Sequence, residues 1–191
     1  MGFSPPIVIL DACVLYPFQL RNLLIQFAVD RLVGIRWTAQ IHDEWIRNLA
    51  TNSDSLSHDR LVRTRDLMNT VLPDALVLGH EPLIESVNLP DPDDRHVVAA
   101  GIISGASAVI TWNLRDFPSE ELSRHGLRVQ NPDSLLTDLY VAAPELVIYS
   151  TRNARANLRR STPSAIDFIT ALERQNLKTF SRSMIDHIAR I

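Results

Sequence analysis

Short apolar, β-branched runs alternate along this chain with segments whose apolar side chains recur every three or four residues. That alternation is the pattern of a parallel α/β sheet. Ile7-Val8-Ile9-Leu10 and Ala108-Val109-Ile110-Thr111-Trp112 are too short for helices and read as buried strands. Phe18, Leu23, Leu24, Phe27 and Ala28 keep helical spacing over 17–29, Gly34 marks a turn, and Ile35 to Thr38 makes another short strand. From Ala39 to Leu49, Ile41, Trp45 and Leu49 share a face, leaving Glu44 and Arg47 at its border or beyond. The polar stretch Thr51 to Ser57 reads as a loop, with Ser57 capping a charged, solvated helix through Met68. Leu76-Val77-Leu78 is a further strand candidate, followed by an acidic, proline-punctuated linker from Glu81 to Pro92. The helix Asp94 to Ser104 is small and apolar on nearly all sides, so it should be buried. Leu127-Arg128-Val129 makes an edge strand, and Asn131-Pro132 opens a helix through Ala142. Three helical segments follow at roughly 144–160, 163–175 and 177–190, the second started by Thr162-Pro163.

In a right-handed β-α-β sheet, strand exits and the N-termini of following helices share the carboxyl edge, where such sheets place their sites. Asp11 leaves the first strand, Asp116 follows the Ala108–Trp112 strand, Asp94 opens a buried helix, and Glu44 lies near the start of another. Each Asp has an ordinary explanation in a turn or a cap. Asp91-Pro92-Asp93-Asp94 carries three carboxylates where one would cap. Two unit charges about 4 Å apart repel by roughly 4 kcal/mol at an effective dielectric near 20, so a gathered cluster needs a cation. Oxygen donors without paired His or Cys select a hard ion, Mg²⁺ or Mn²⁺.

Composition narrows the setting. A chain of 191 residues, 46% hydrophobic, supports one core with an appendage, divided here as 1–143 and a helical extension 144–191. The single cysteine, Cys13, excludes an internal disulfide framework and a thiolate zinc cage. No apolar run reaches the roughly 18 residues of a membrane span, and no basic flank precedes the first apolar stretch, so a cytoplasmic protein without membrane association is expected. Net charge is −3, divided as −7 over residues 1–144 and +4 over residues 145–191.

Taken in order, Val8-Ile9-Leu10-Asp11-Ala12-Cys13-Val14-Leu15, Glu44 in a helix, Asp94 leading Val97-Val98-Ala99-Ala100, and Val109-Ile110-Thr111-Trp112-Asn113-Leu114-Arg115-Asp116-Phe117-Pro118 resemble the PIN-domain nucleases. The resemblance is strongest to the VapC-type toxins of bacterial toxin-antitoxin pairs and covers about residues 5 to 142. It implies a three-layer α/β/α sandwich with a mainly parallel sheet. It also implies Mg²⁺- or Mn²⁺-dependent endoribonuclease activity on RNA, a small antitoxin partner and a homodimer. By this resemblance Asp11, Asp94 and Asp116 hold metal and Glu44 orients water, with Asp93 and Asn113 as auxiliaries. The tail, including Arg159-Arg160-Ser161-Thr162-Pro163, resembles the helical extension of some longer VapC-like proteins. Two departures stand out: Cys13 replaces the Ser, Thr or Asn of many relatives and is expected not to hydrogen-bond as they do, and Asn113 stands where many have Asp.

Arg152, Arg155, Arg159 and Arg160 form either a stripe for the RNA backbone or a solvated face docked on the acidic body. Arg47 and Arg95 read as structural ion-pair partners, His96 as a packing residue, and Cys13 as a buried side chain with no His to activate it. Trp45 reads as core and Trp112 as a neighbour of the site. A haloacid-dehalogenase phosphatase would need a second Asp at position 13, and a phospho-receiver a Lys after a late strand, whereas the sole lysine is Lys178. The remaining alternative is a non-catalytic PIN-like module that binds RNA or protein.

Overall fold

A computed structural model describes residues 3–53 and 56–191. Asp54 and Ser55, within the predicted polar loop, lie outside the described residues. The chain runs β1 (Ile7–Leu10), α1 (Ala12–Leu15), α2 (Phe18–Val29), β2 (Gly34–Arg36), α3 (Ala39–Asn52), α4 (His58–Val71), α5 (Arg95–Ile103), β3 (Ala108–Ile110), α6 (Ser119–Arg124) and β4 (Arg128–Gln130). It ends with α7 (Pro132–Ala142), α8 (Pro144–Ala156), α9 (Ala165–Glu173) and α10 (Lys178–Ile185).

All four strands are parallel, in the order β2-β1-β3-β4. Val8, Ile9 and Leu10 of β1 and Ala108, Val109 and Ile110 of β3 are each fully buried. Successive strand side chains point to opposite faces, so helices must cover both sides, as in an α/β sandwich. On one of those faces α5 approaches so closely that a Cβ at Gly101 would stand 3.1 Å from Ile9 Cγ2. That approach explains the small apolar composition of this helix. The chain turns away on either side of β1, toward β2 and toward β3, so the topological switch point lies between β1 and β3.

Leu76-Val77-Leu78 does not form a strand. Leu76 makes a single bridge to Trp37, because a 3₁₀ turn at Pro73–Ala75 and Gly79 at φ 77 leave no room for a ladder. The linker before Asp94 contains its own 3₁₀ turn, Glu81–Ser86. The helix expected to begin at Pro163 begins at Ala165, capped by the Ser164 hydroxyl, because Thr162 sits at φ 37. Among the described residues neither Arg47 nor Arg95 forms an ion pair, and Arg95 Nε is buried without a hydrogen-bond partner. Both had been expected to pair with nearby acids.

The C-terminal helices share the hydrophobic core of the sheet body. Asn22 donates to Ala154 O at 2.8 Å, and Asp30 accepts from Ser150 Oγ at 2.6 Å, joining α2 to α8. α10 has no cap of its own; Asp133 of α7 supplies one by accepting from Thr179 N and Phe180 N at 3.0 and 2.8 Å. Asp133→Ala leaves two helix-end N–H groups without that partner. It should cost about 1–2 kcal/mol of unfolding free energy, measured by urea denaturation. A loss below about 0.3 kcal/mol would show that water replaces this cap.

Candidate active site

At the carboxyl edge the β1–β3 ladder continues for one more step, with Asp11 N donating to Ile110 O at 3.0 Å. The Asp11 side chain is therefore delivered beside the end of β3, and it is 5% exposed. Its Oδ2 accepts from Thr111 Oγ1 at 2.6 Å and from Cys13 Sγ at 3.0 Å. Thr111 Oγ1 in turn accepts from Asn113 N at 3.0 Å, so one hydroxyl links Asp11 to the loop that carries Asn113 and Asp116. The expectation that Cys13 would not hydrogen-bond is corrected here. Burial, reinforced by the Asp11 charge, pushes the Cys13 thiol up to about 12, which keeps its proton in place as a donor. The same protonation removes it as a nucleophile.

Asp11 and Asp94 both occupy N-cap positions, of α1 and α5, yet neither side chain caps its helix. The local capping goes instead to Asp91, whose Oδ1 accepts from Asp93 N at 2.9 Å. Released from that duty, Asp94 lines a cavity of about 370 Å³ together with Asp11, Glu44, Asn113, Ala12, Cys13, Tyr16, Asn48 and Asn52. Burial, followed by the charges of Asp11, Asp91, Asp116 and Glu44, raises the Asp94 carboxyl to about 6. Asp116 is thus close enough to act on Asp94, although it does not line the cavity. Asp91 and Asp93 are both exposed and neither lines the cavity, and of the two only Asp91 is among the charges that act on Asp94.

Glu44 is placed by α3, whose N-cap Thr38 accepts from Ile41 N. Beneath it lies His96, 2% exposed, with Nε2 3.0 Å from Glu44 Oε1 but without hydrogen-bond alignment. The imidazole is buried, as expected of a packing residue, and it also backs a site carboxylate. Trp45, fully buried, carries the Arg21 guanidinium 4.6 Å from its ring centre. Arg21 also donates to the carbonyls of Leu15 and Tyr16, tying the turn after Asp11 to the helix that bears Glu44. Thr111, Asn48 and Asn52 escaped the sequence reading. The signal for the two asparagines was available, since they follow Glu44 at four-residue steps; none marked Thr111, whose role depends on the β1–β3 register.

The tail arginines stand apart from this cavity. Arg155 donates to Ile191 O and Pro163 O at 2.8 and 2.9 Å, so it holds the tail together. Arg152 is exposed and lies over the Tyr149 ring, and Arg159 and Arg160 are exposed. None of the four lines the carboxylate cavity.

A hard, hydrated ion suits this donor set, because the gathered oxygens repel one another and the cavity is roomy and open to water. Among the described residues no group of three or more His, Cys, Asp or Glu is drawn tightly enough to hold a metal alone. Water must therefore complete any coordination shell. No helix among the described residues is long and apolar enough to cross a membrane.

The structure thus pairs a parallel α/β sandwich with carboxylates gathered beside its switch point, the arrangement that the resemblance to PIN domains implies. Residues 132–184, covering α7 to α10, match the model of the VapC50 C-terminal domain family. Over 80 residues the chain is 35% identical to "Putative ribonuclease VapC50" of Mycobacterium tuberculosis (strain ATCC 25618 / H37Rv), covering 40% of this chain and 47% of that protein. The match thus spans about half the length of that relative. No solved structure matches the chain. In these matched stretches the chain is similar to VapC-like proteins.

Proposed function

We propose that this protein is a metal-dependent endoribonuclease, the toxin of a toxin-antitoxin pair, with a small antitoxin as its partner. The observation that carries the reading is Asp94: a carboxylate at a helix start that caps nothing, whose pKa is raised to about 6 by burial and by the four other acids around it. Structural economy would not retain such a group, because its charge costs stability that a cation would return. The name of the Mycobacterium tuberculosis relative, "Putative ribonuclease VapC50", agrees with it.

In this reading Asp11 and Asp94 hold Mg²⁺ or Mn²⁺, with Asp116 contributing through water. Thr111 and Cys13 fix the Asp11 carboxylate by donating to one oxygen, which leaves the other free. Glu44, backed by His96, orients the attacking water and accepts its proton. Asn113 offers an uncharged amide to the phosphate without adding to the repulsion. When bound, the ion lowers the pKa of water and offsets charge on the scissile phosphate.

The test is cleavage of single-stranded RNA with Mg²⁺ or Mn²⁺, with chelator, and with Asp11→Asn. The expected outcome is cutting that requires both the ion and Asp11. Cutting that persists in chelator or in the variant removes the assignment. Ion-independent RNA binding without cutting identifies a non-catalytic module instead.

A further inference from the structure

Glu44, Asn48 and Asn52 follow one another at four-residue intervals, so they share one face of α3, and all three line the carboxylate cavity. Moving along that face by about 6 Å per step, the wall changes from acidic to neutral amide. Tyr16 lines the same cavity, half-buried, its backbone carbonyl held by Arg21. Asn22, Asn69, Asn131, Asn153 and Asn157 all spend their side chains on bonds within the fold. Among the described residues neither the Asn48 nor the Asn52 side chain has such a bond. Asn is also a weak helix former, so two of them in one helix have no local structural advantage. Their amides are uncommitted and face the site.

We infer that Asn48, Asn52 and Tyr16 form a subsite for an unpaired RNA base beside the phosphate that is cut, and that it sets which sequence is cleaved. This rests on the nuclease reading and names the part of the substrate next to the reaction. No Arg or Lys lines the cavity, which disfavours a second phosphate there. An amide presents a donor and an acceptor side by side, matching the edge of a base, and a tyrosine ring can stack on its face. A duplex hides those faces, so the subsite takes single-stranded RNA.

Two measurements test this. The first is binding of four short single-stranded oligonucleotides, each of one base, to the whole chain by fluorescence anisotropy. Wild type should prefer one base by roughly tenfold over the weakest, and Asn48→Ala/Asn52→Ala should level the four affinities. The second is mapping of cut sites in an RNA of mixed sequence. The double variant should keep cutting, with KM raised about tenfold, kcat within about threefold and the preference at the base beside the cut lost. Equal affinities in wild type, or a preference unchanged in the double variant, overturn the subsite. Absence of cutting by wild type with either ion defeats the nuclease reading, while the binding measurement still decides the subsite by itself.

Discussion

Asp94→Asn is expected to raise the melting temperature of the metal-free protein at neutral pH by about 2–4 °C while reducing RNA cleavage more than about a hundredfold. The stability gain follows from linkage. Burial and the neighbouring acids hold the folded-state carboxyl at about 6, above its ordinary value of 3.8. Below 3.8 both folded and unfolded states hold the proton and the site costs nothing. As pH rises from 3.8 to 6 the unfolded state ionises first, stability is lost, and above 6 the full penalty applies. Taken at face value, that rise in pKa would correspond to roughly 3 kcal/mol, but the carboxylate reaches solvent, and about 1 kcal/mol is the screened value. Asn keeps the shape and removes the charge. The activity loss follows because even the outer partners of a bound metal are worth about 10–100-fold, and Asp94 is proposed as a direct holder. Thermal melts at pH 3.5 and 7.5, with and without Mg²⁺, give the sharpest comparison. The variant's advantage should appear only at the higher pH and shrink when Mg²⁺ stabilises the wild type. A variant no more stable than wild type at pH 7.5 would remove the cost of a buried, crowded carboxylate as the feature that marks this site.

Phe180→Ala should lower unfolding free energy by about 3–5 kcal/mol, or roughly 10 °C in melting temperature, in one cooperative transition. Phe180 of α10 is fully buried and meets Phe27 of α2 edge to face, with ring centroids 6.2 Å apart at 73°. Phe27 belongs to the sheet body, so the cavity left by the substitution opens in the shared core rather than in an appendage. Helical circular dichroism and tryptophan fluorescence report different parts of the molecule, since Trp37, Trp45 and Trp112 all lie in the body. Their melting curves should move together. If the tryptophan signal keeps its wild-type midpoint while the helical signal falls early, the tail is an independent unit. By the same reasoning a chain ending at residue 143 should expose the apolar face of α2 and fail to fold.

Local pattern carried a good deal of this protein. β1 and β3 were legible because β-branched runs of that length suit only buried strands, and α2, α3, α4, α5 and α7 because their apolar spacing or caps mark them, whereas the short α6 carried no such pattern. The position of Asp11 at a strand exit and of Asp94 at a helix start came from the same patterns, which is why the acidic edge could be anticipated. Leu76 to Leu78 looks equally strand-like, yet forms one bridge, since pairing depends on the neighbours the chain is free to reach.

Sequence alone therefore determined most of the long elements and the edge at which the acids emerge, because those follow from periods of two and 3.6 along the chain. Tertiary structure decided that the distant Thr111 joins Cys13 in holding Asp11, that Asp91 caps so that Asp94 need not, that His96 lies against Glu44, and that Arg155 binds the tail instead of facing the site. Each of these depends on where a side chain points after strands and helices far apart in sequence have packed. Direction and distance of that kind are set by register and core packing, and no local pattern encodes them.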